Sequence, residues 1–204
     1  MSSRYFAVYK PYQMVSQFVS PYVQRLLGDL VYNFPEGTHA VGRLDNLSEG
    51  LLILTTDKSL TQRLLHPSKG HLRRYAVLVR GSVSPESLRQ LQEGVAIDLN
   101  GKGDYQTKPC AVRILEGSPI PEREPPYIQY GPHTWLAFEL VEGKNKQIRK
   151  MCRAVRHEVQ RLVRTHIEDL SIEHLSSGQV LEMEKEEMER LLKLKSVQTQ
   201  ETHR

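Results

Sequence analysis

The apolar runs of this chain are all short, the longest uninterrupted one lying around Leu51 to Leu54. A membrane span needs about 20 consecutive apolar residues, so none is predicted, and the opening "MSSRYFAVYK" lacks the apolar core of a secretory signal. A cytoplasmic protein with no membrane partner is expected. Strand-length runs rich in aromatic and β-branched residues predict sheet instead. "RYFAVYKP" reads as a strand stopped by Pro11, whose ring cannot continue a ladder. A short strand into Gly42, then "GLLILTT", "RRYAVLVRG", "KPCAVRIL" and "TWLAFELVE", read the same way, and the stretch after residue 157 is strand-rich.

Helices are fewer. Residues 57–66, "DKSLTQRLLH", predict one capped by Asp57, with Leu60, Leu64 and Leu65 on one face. "SPYVQRLLGDL" predicts a short helix started by Ser20 and Pro21 and ending near Gly28, and "SPESLRQLQEG" a capped one. In "KNKQIRKMCRAVRH", Ile148, Met151, Cys152 and Val155 recur at i, i+3, i+4 and i+7, the spacing of a core-facing stripe. "MEKEEMERLLKLK" predicts a last helix, and residues 196–204 a disordered tail. Many strands with a few helices give an α+β fold. At 204 residues the chain suffices for one catalytic-size domain, expected over residues 1–181, with residues 182–204 as a C-terminal helix and tail. Five of the eleven prolines fall in residues 117–132, predicting an irregular surface loop, either a lid or a connector.

Charge is unevenly distributed. From Lys144 to Arg164 there are eight basic residues and one acid, Glu158, a local +7; the whole chain carries +4, so the remainder sums to −3. Such a stripe fits a phosphate-backbone footprint, the other reading being a solvated helix face. The two cysteines, Cys110 and Cys152, are too few for a disulfide framework or a zinc cluster and are expected in the core. His166 and Glu168 form the H-x-E of zinc deaminases, but the P-C-x-x-C those enzymes need is missing. Gly37 and Gly42 have the gap of a phosphate-binding loop, yet Arg43 and Leu44 follow where a lysine and a hydroxyl are required. No metal and no cofactor are therefore expected.

There remains Asp45, on a Gly-Arg-Leu-Asp turn between two strands. A lone loop aspartate is most often a turn or cap residue. The stretch around it, "AVGRLDNLSEGLLILTTD", resembles the signature of pseudouridine synthases, and more narrowly that of their RsuA-type branch. Three further motifs resemble that branch in the same order: "YFAVYKPYQMVSQ" its opening strand, "RRYAVLVRG" its tyrosine-bearing strand, and "EGKNKQIRKM" its late basic motif. The resemblance spans residues 4–180. It implies a pseudouridine synthase fold, with a mixed, mostly antiparallel sheet flanked by helices. It also implies Asp45 as catalyst, Tyr75 as the ring beside the target base, Arg149 as partner of the Asp45 carboxylate, and Arg43 as an RNA contact. The basic stripe then offers Lys144, Lys146, Lys150 and Arg153 to phosphates.

The substrate so implied is a uridine of large-subunit ribosomal RNA, free or in a pre-ribosomal particle. The rival readings are a non-catalytic rRNA-binding assembly factor and a synthase for another RNA. Two departures from the family pattern stand out. Ser48-Glu49-Gly50 occupies a position often held by Thr-Ser-Gly, a form similar to that of one large-subunit branch. Many relatives begin with a small RNA-binding S4 domain; here the first catalytic strand starts near residue 4, so no S4 domain and a monomer are expected. The implied reaction breaks the bond from N1 to C1′, turns the uracil and rejoins it through C5, which requires neither a redox equivalent nor a hydrolytic water.

Overall fold

The computed structural model describes residues 2–66, 70–126 and 131–194. Tyr5–Lys10 (β1), His39–Val41 (β2), Glu49–Thr55 (β3) and Arg73–Arg80 (β4) open a nine-stranded sheet. Ala96–Asp98 (β5) and Asp104–Gln106 (β6) form a separate hairpin. Ala111–Leu115 (β7), His133–Leu140 (β8), Val159–Ile167 (β9), Leu170–Ser171 (β10) and Val180–Met183 (β11) complete the large sheet. Its order is β11-β1-β3-β9-β4-β8-β7, with β2 added on β3 and β10 on β9. Neighbouring strands run antiparallel except β3 and β9, which pair in parallel at Glu49 with Val163 and Gly50 with Arg164. The architecture is thus α+β, with a mixed and mostly antiparallel sheet.

Strand periodicity explains why β1 and β3 are apolar along most of their length. In β1 and β3 alternate residues enter different clusters: Tyr5, Ala7, Tyr9, Leu51 and Ile53 go to one, Phe6, Val8, Leu52 and Leu54 to another. The first is closed by Lys58–Leu65 (α1) through Leu60 and Leu64, and by Lys185–Leu191 (α4) through Met188. β11 spans the boundary expected at residue 181 and α4 follows it; the strand pairs with β1 and the helix shares that core. The tail expected at 196–204 lies outside the described residues. A third cluster joins β4, β7 and β8 to Leu91 of Pro85–Glu93 (α2) and to Ile148, Met151 and Cys152 of Gln147–Ala154 (α3). The caps are those expected: the Asp57 carboxylate accepts the Ser59 N–H (2.9 Å), and the Ser84 hydroxyl accepts the Ser87 N–H (3.1 Å).

One predicted helix does not form. Residues 20–26 are bends and an isolated bridge, and only Leu27–Asp29 takes a 3-10 turn. The backbone groups of this segment bond across the chain instead. The Val15 N–H donates to Arg25 O (3.0 Å) and the Leu27 N–H to Gln17 O (2.9 Å), while Leu27 and Leu30 enter the core and Val23 stays exposed. Cross-chain pairing with residues 14–17 thereby overrides local helix propensity.

Candidate active site

The edge of β3 is shared by two strands, and this creates the site. β2 pairs with β3 at Ile53 to Thr55, β9 pairs with it at Glu49 and Gly50, and residues 42–48 cross between them as a loop. Ser16 holds the loop from below: its hydroxyl accepts the Leu44 N–H (3.0 Å) and donates to the Leu44 carbonyl (2.9 Å). With Leu44 buried, Asp45 faces a cleft of 780 Å³, within the range of about 300–1,000 Å³ that encloses small ligands. The Asp45 carbonyl accepts the Ser48 N–H (2.9 Å), closing the turn.

The same cleft is lined by Arg43, Tyr75, Lys144 and Lys146. Four of the expected site residues, drawn from three separated motifs, thus share one space with Asp45. Lys144 lies with its ammonium 4.4 Å from the centre of the Tyr105 ring, a cation–π contact. Lys146 takes a left-handed backbone (φ 52°) at the start of α3. The other three expected residues are placed differently. Arg149 donates to Leu47 O (2.9 Å) and Val159 O (3.3 Å), and forms no salt bridge with Asp45 among the described residues. Burial weakens its hold on its proton, and the Asp45 carboxylate acts against that loss, so the two groups are in electrostatic reach without direct pairing. Lys150 is used internally, its ammonium donating to Asp98 O (2.7 Å) and Asn100 Oδ1 (3.0 Å) and bracing the β5–β6 hairpin. Arg153 is exposed on α3 and does not line the cleft.

Sequence reading counted Arg164 in the basic stripe but gave it no place of its own in the site. It lies opposite Tyr75 across β4 and β9, is only 6% exposed, and lines the cleft. Its Nε donates to Leu51 O (2.8 Å), its Nη2 has no hydrogen-bond partner among the described residues, and burial lowers its pKa while the Tyr75 phenol opposes this. The buried Ser48 hydroxyl in the cleft wall likewise has no partner among the described residues. A usable signal existed: two arginines, Arg161 and Arg164, interrupt the otherwise apolar "LVR" pattern of a strand, and charges on a buried strand need partners.

Other chemistries find little support in the side chains. Burial pushes the Cys152 thiol up to about 12 and Cys110 up to about 11, so neither supplies a thiolate near neutral pH. Among the described residues, no three His, Cys, Asp or Glu side chains cluster as a metal site, and no helix is long and apolar enough to cross a membrane.

Lys10 lies under the loop, fully buried, with its ammonium donating to Pro11 O (2.8 Å) and Met14 O (2.6 Å). Burial lowers it to about 7, although Glu49 and Asp45 favour its charged form. In the unfolded chain a lysine titrates near 10.4. Between those values the unfolded chain holds a proton that the folded chain has released. Stability from this group therefore rises with pH across that window, by at most ~1.4 kcal/mol per pH unit, and is flat below it. In thermal melts from pH 7 to pH 9, the wild type is expected to gain on Lys10→Met. A constant gap between the two would show that Lys10 stays charged in the fold.

A model of the RNA pseudouridylate synthase family matches residues 4–154. The chain is 38% identical over 172 residues to ribosomal large subunit pseudouridine synthase E of Xanthomonas axonopodis pv. citri, covering 82% of this chain and 87% of that protein. To the protein of the same name from Vibrio parahaemolyticus it is 34% identical over 177 residues, covering 86% and 71%. A crystal structure of a pseudouridylate synthase superposes with a TM-score of 0.74 at 24% identity, over 93% of this chain and 74% of the other, which establishes the shared fold.

Proposed function

Because the chain belongs to the RNA pseudouridylate synthase family, we propose that it isomerises a uridine of large-subunit ribosomal RNA, with Asp45 as the catalytic carboxylate. The observation that carries this reading is the convergence of Asp45, Tyr75, Arg43, Lys144 and Lys146 on one cleft. A base inside structured RNA must leave its stack to be rebuilt, and it then needs a pocket, a ring to lie against and cations for its phosphates. Tyr75 is the ring, and Arg43, Lys144 and Lys146 are the cations. Asp45 initiates cleavage of the bond from N1 to C1′; Arg149, not bonded to it, keeps a positive charge within electrostatic reach of the carboxylate. Turning the detached uracil and closing the bond through C5 needs only that the pocket retain the base. The test is position-resolved pseudouridine mapping of total RNA from cells with and without this protein. Loss of one large-subunit site supports the reading, and an unchanged map overturns it.

RNA affinity is expected to depend steeply on salt, since each phosphate contact releases condensed counterions. Replacing Arg43, Lys144 and Lys146 together by glutamine is expected to flatten the slope of log K against log salt by about 2, taking about 0.7 for each contact to single-stranded RNA. Lys150 is left out because its ammonium is already bound within the protein. An unchanged slope in filter-binding titrations would place the RNA path elsewhere.

A further inference from the structure

Two polar groups of the cleft wall are left unused by the protein itself. Ser48 is 1% exposed and Arg164 6% exposed, and both line the cleft. Ser48 Oγ and Arg164 Nη2 have no hydrogen-bond partner among the described residues. A buried donor without a partner costs stability, and native structures keep few of them. These two stand at one place in the fold. Ser48 immediately precedes β3, and Gly50, two residues on, pairs with Arg164 at the parallel junction with β9. Arg164 in turn lies opposite Tyr75, where the ladder of β4 and β9 slips by one residue and leaves Thr165 without a counterpart. Side chains opposite each other on neighbouring strands share a face, with Cβ atoms about 4.5–5.5 Å apart, and a bulge re-aims them. Because Nε is fixed on Leu51 O (2.8 Å), the guanidinium is held in place with its Nη2 edge left over.

The reaction supplies a use for them. When the bond from N1 to C1′ breaks, its electron pair leaves with the base, so the detached uracil is an anion whose charge is shared by its O2 and O4 oxygens. The base spends a pair again when C5 bonds to C1′; C5 then gives up its proton and N1 takes one, so no further reactant is consumed. We infer that Arg164 and Ser48 form an oxyanion-binding pair for the base: guanidinium and hydroxyl donate to a carbonyl oxygen of a uracil lying against Tyr75, and hold it most tightly while it is detached and charged. The inference rests on the catalytic reading given above and extends it to the leaving base. Arginine carries only donors and a serine hydroxyl can donate, which suits an oxygen that only accepts. Donors already fixed where charge develops raise turnover rather than ground-state affinity, and a water-poor wall strengthens them.

Arg164→Lys keeps the charge and loses the planar fork, Arg164→Met loses both, and Ser48→Ala removes only the hydroxyl. Each is assayed by single-turnover tritium release from C5-labelled uridine in a large-subunit RNA substrate at saturating protein, with filter binding and thermal melts alongside. Arg164→Met is expected to slow release about 100-fold or more, the loss typical of one oxyanion donor, Arg164→Lys by less, and Ser48→Ala about 10-fold. RNA affinity should stay within about 2-fold of the wild type, because it comes from phosphate contacts. Ser48→Ala should melt no lower than the wild type, since the hydroxyl it removes has no partner among the described residues. A pair serving only as scaffold would lower the melting temperature and leave the saturated rate unchanged, and a pair gripping RNA would weaken affinity at an unchanged saturated rate. Either result overturns the inference. So does release within about 2-fold of the wild type in both Arg164→Lys and Ser48→Ala, the variants that decide if Arg164→Met does not fold. A wild type that releases no tritium from any large-subunit RNA would remove the catalytic reading and the inference with it, whereas an active wild type with unaffected variants removes the inference alone.

Discussion

Asp45→Asn is expected to lower turnover by at least about 1,000-fold while fold and RNA affinity persist. The substitution keeps size and shape and removes the negative charge. The loop does not depend on that charge: Ser16 holds it through the backbone of Leu44, and its turn is closed by the Asp45 carbonyl. The residues proposed above to hold phosphates, Arg43, Lys144 and Lys146, are other lining residues of the cleft. Arg149→Met is the contrasting case. It strips donors from the carbonyls of Leu47 and Val159 as well as a charge from beside Asp45, so turnover and melting temperature should fall together. Tritium release, thermal melts and filter binding on both variants separate the two behaviours. Near-normal tritium release from folded Asp45→Asn would return the aspartate to the role of a turn residue.

Gly50→Ala is expected to cost more than about 3 kcal/mol, a large share of the roughly 5–15 kcal/mol that holds a domain folded. Gly50 has φ +101°, a conformation that side chains rarely adopt, and an added Cβ would lie 2.3 Å from the Arg164 carbonyl oxygen and 2.8 Å from Val163 Cγ1. Both obstacles are on β9, at the parallel junction, so relief requires β3 and β9 to part. The same movement would displace Arg164 opposite Tyr75 and unseat Glu49 from Arg161, so activity should be lost with stability. Gly28→Ala is the control: among the described residues nothing lies within 4 Å of its Cβ position, and its φ is not positive. Denaturant melts of the two proteins check the contrast, and a Gly50→Ala protein as stable as Gly28→Ala would refute the account of the junction.

Much of the fold was legible because its central strands are buried on both faces. β1 and β3 read as apolar runs, and β4 and β8 as aromatic and β-branched ones, since pleated geometry itself sends alternate residues into different cores. The stripe of Ile148, Met151, Cys152 and Val155 was legible for the corresponding helical reason. The β5–β6 hairpin was not, because strands of three residues with one buried side chain, Ile97, carry too little alternation. The stretch 20–30 failed for another reason: its cap and leucines favour a helix locally, but its hydrogen bonds are taken by residues 14–17, a contact no local pattern encodes.

The sequence by itself determined the α+β class, the caps, the core stripe of α3 and the loop position of Asp45, because each depends on neighbours within a few residues. Resemblance of whole motifs added the family. Only the tertiary structure decided that β9 meets β3 in parallel at Gly50, that Arg149 bonds the backbone of the Asp45 loop rather than the carboxylate, that Lys150 is occupied by the β5–β6 hairpin, and that Glu49 binds Arg161. Those outcomes depend on which distant groups share a buried space. A buried charge is satisfied by whichever partner the packing of other strands brings within reach, and its own neighbours in sequence do not specify that partner.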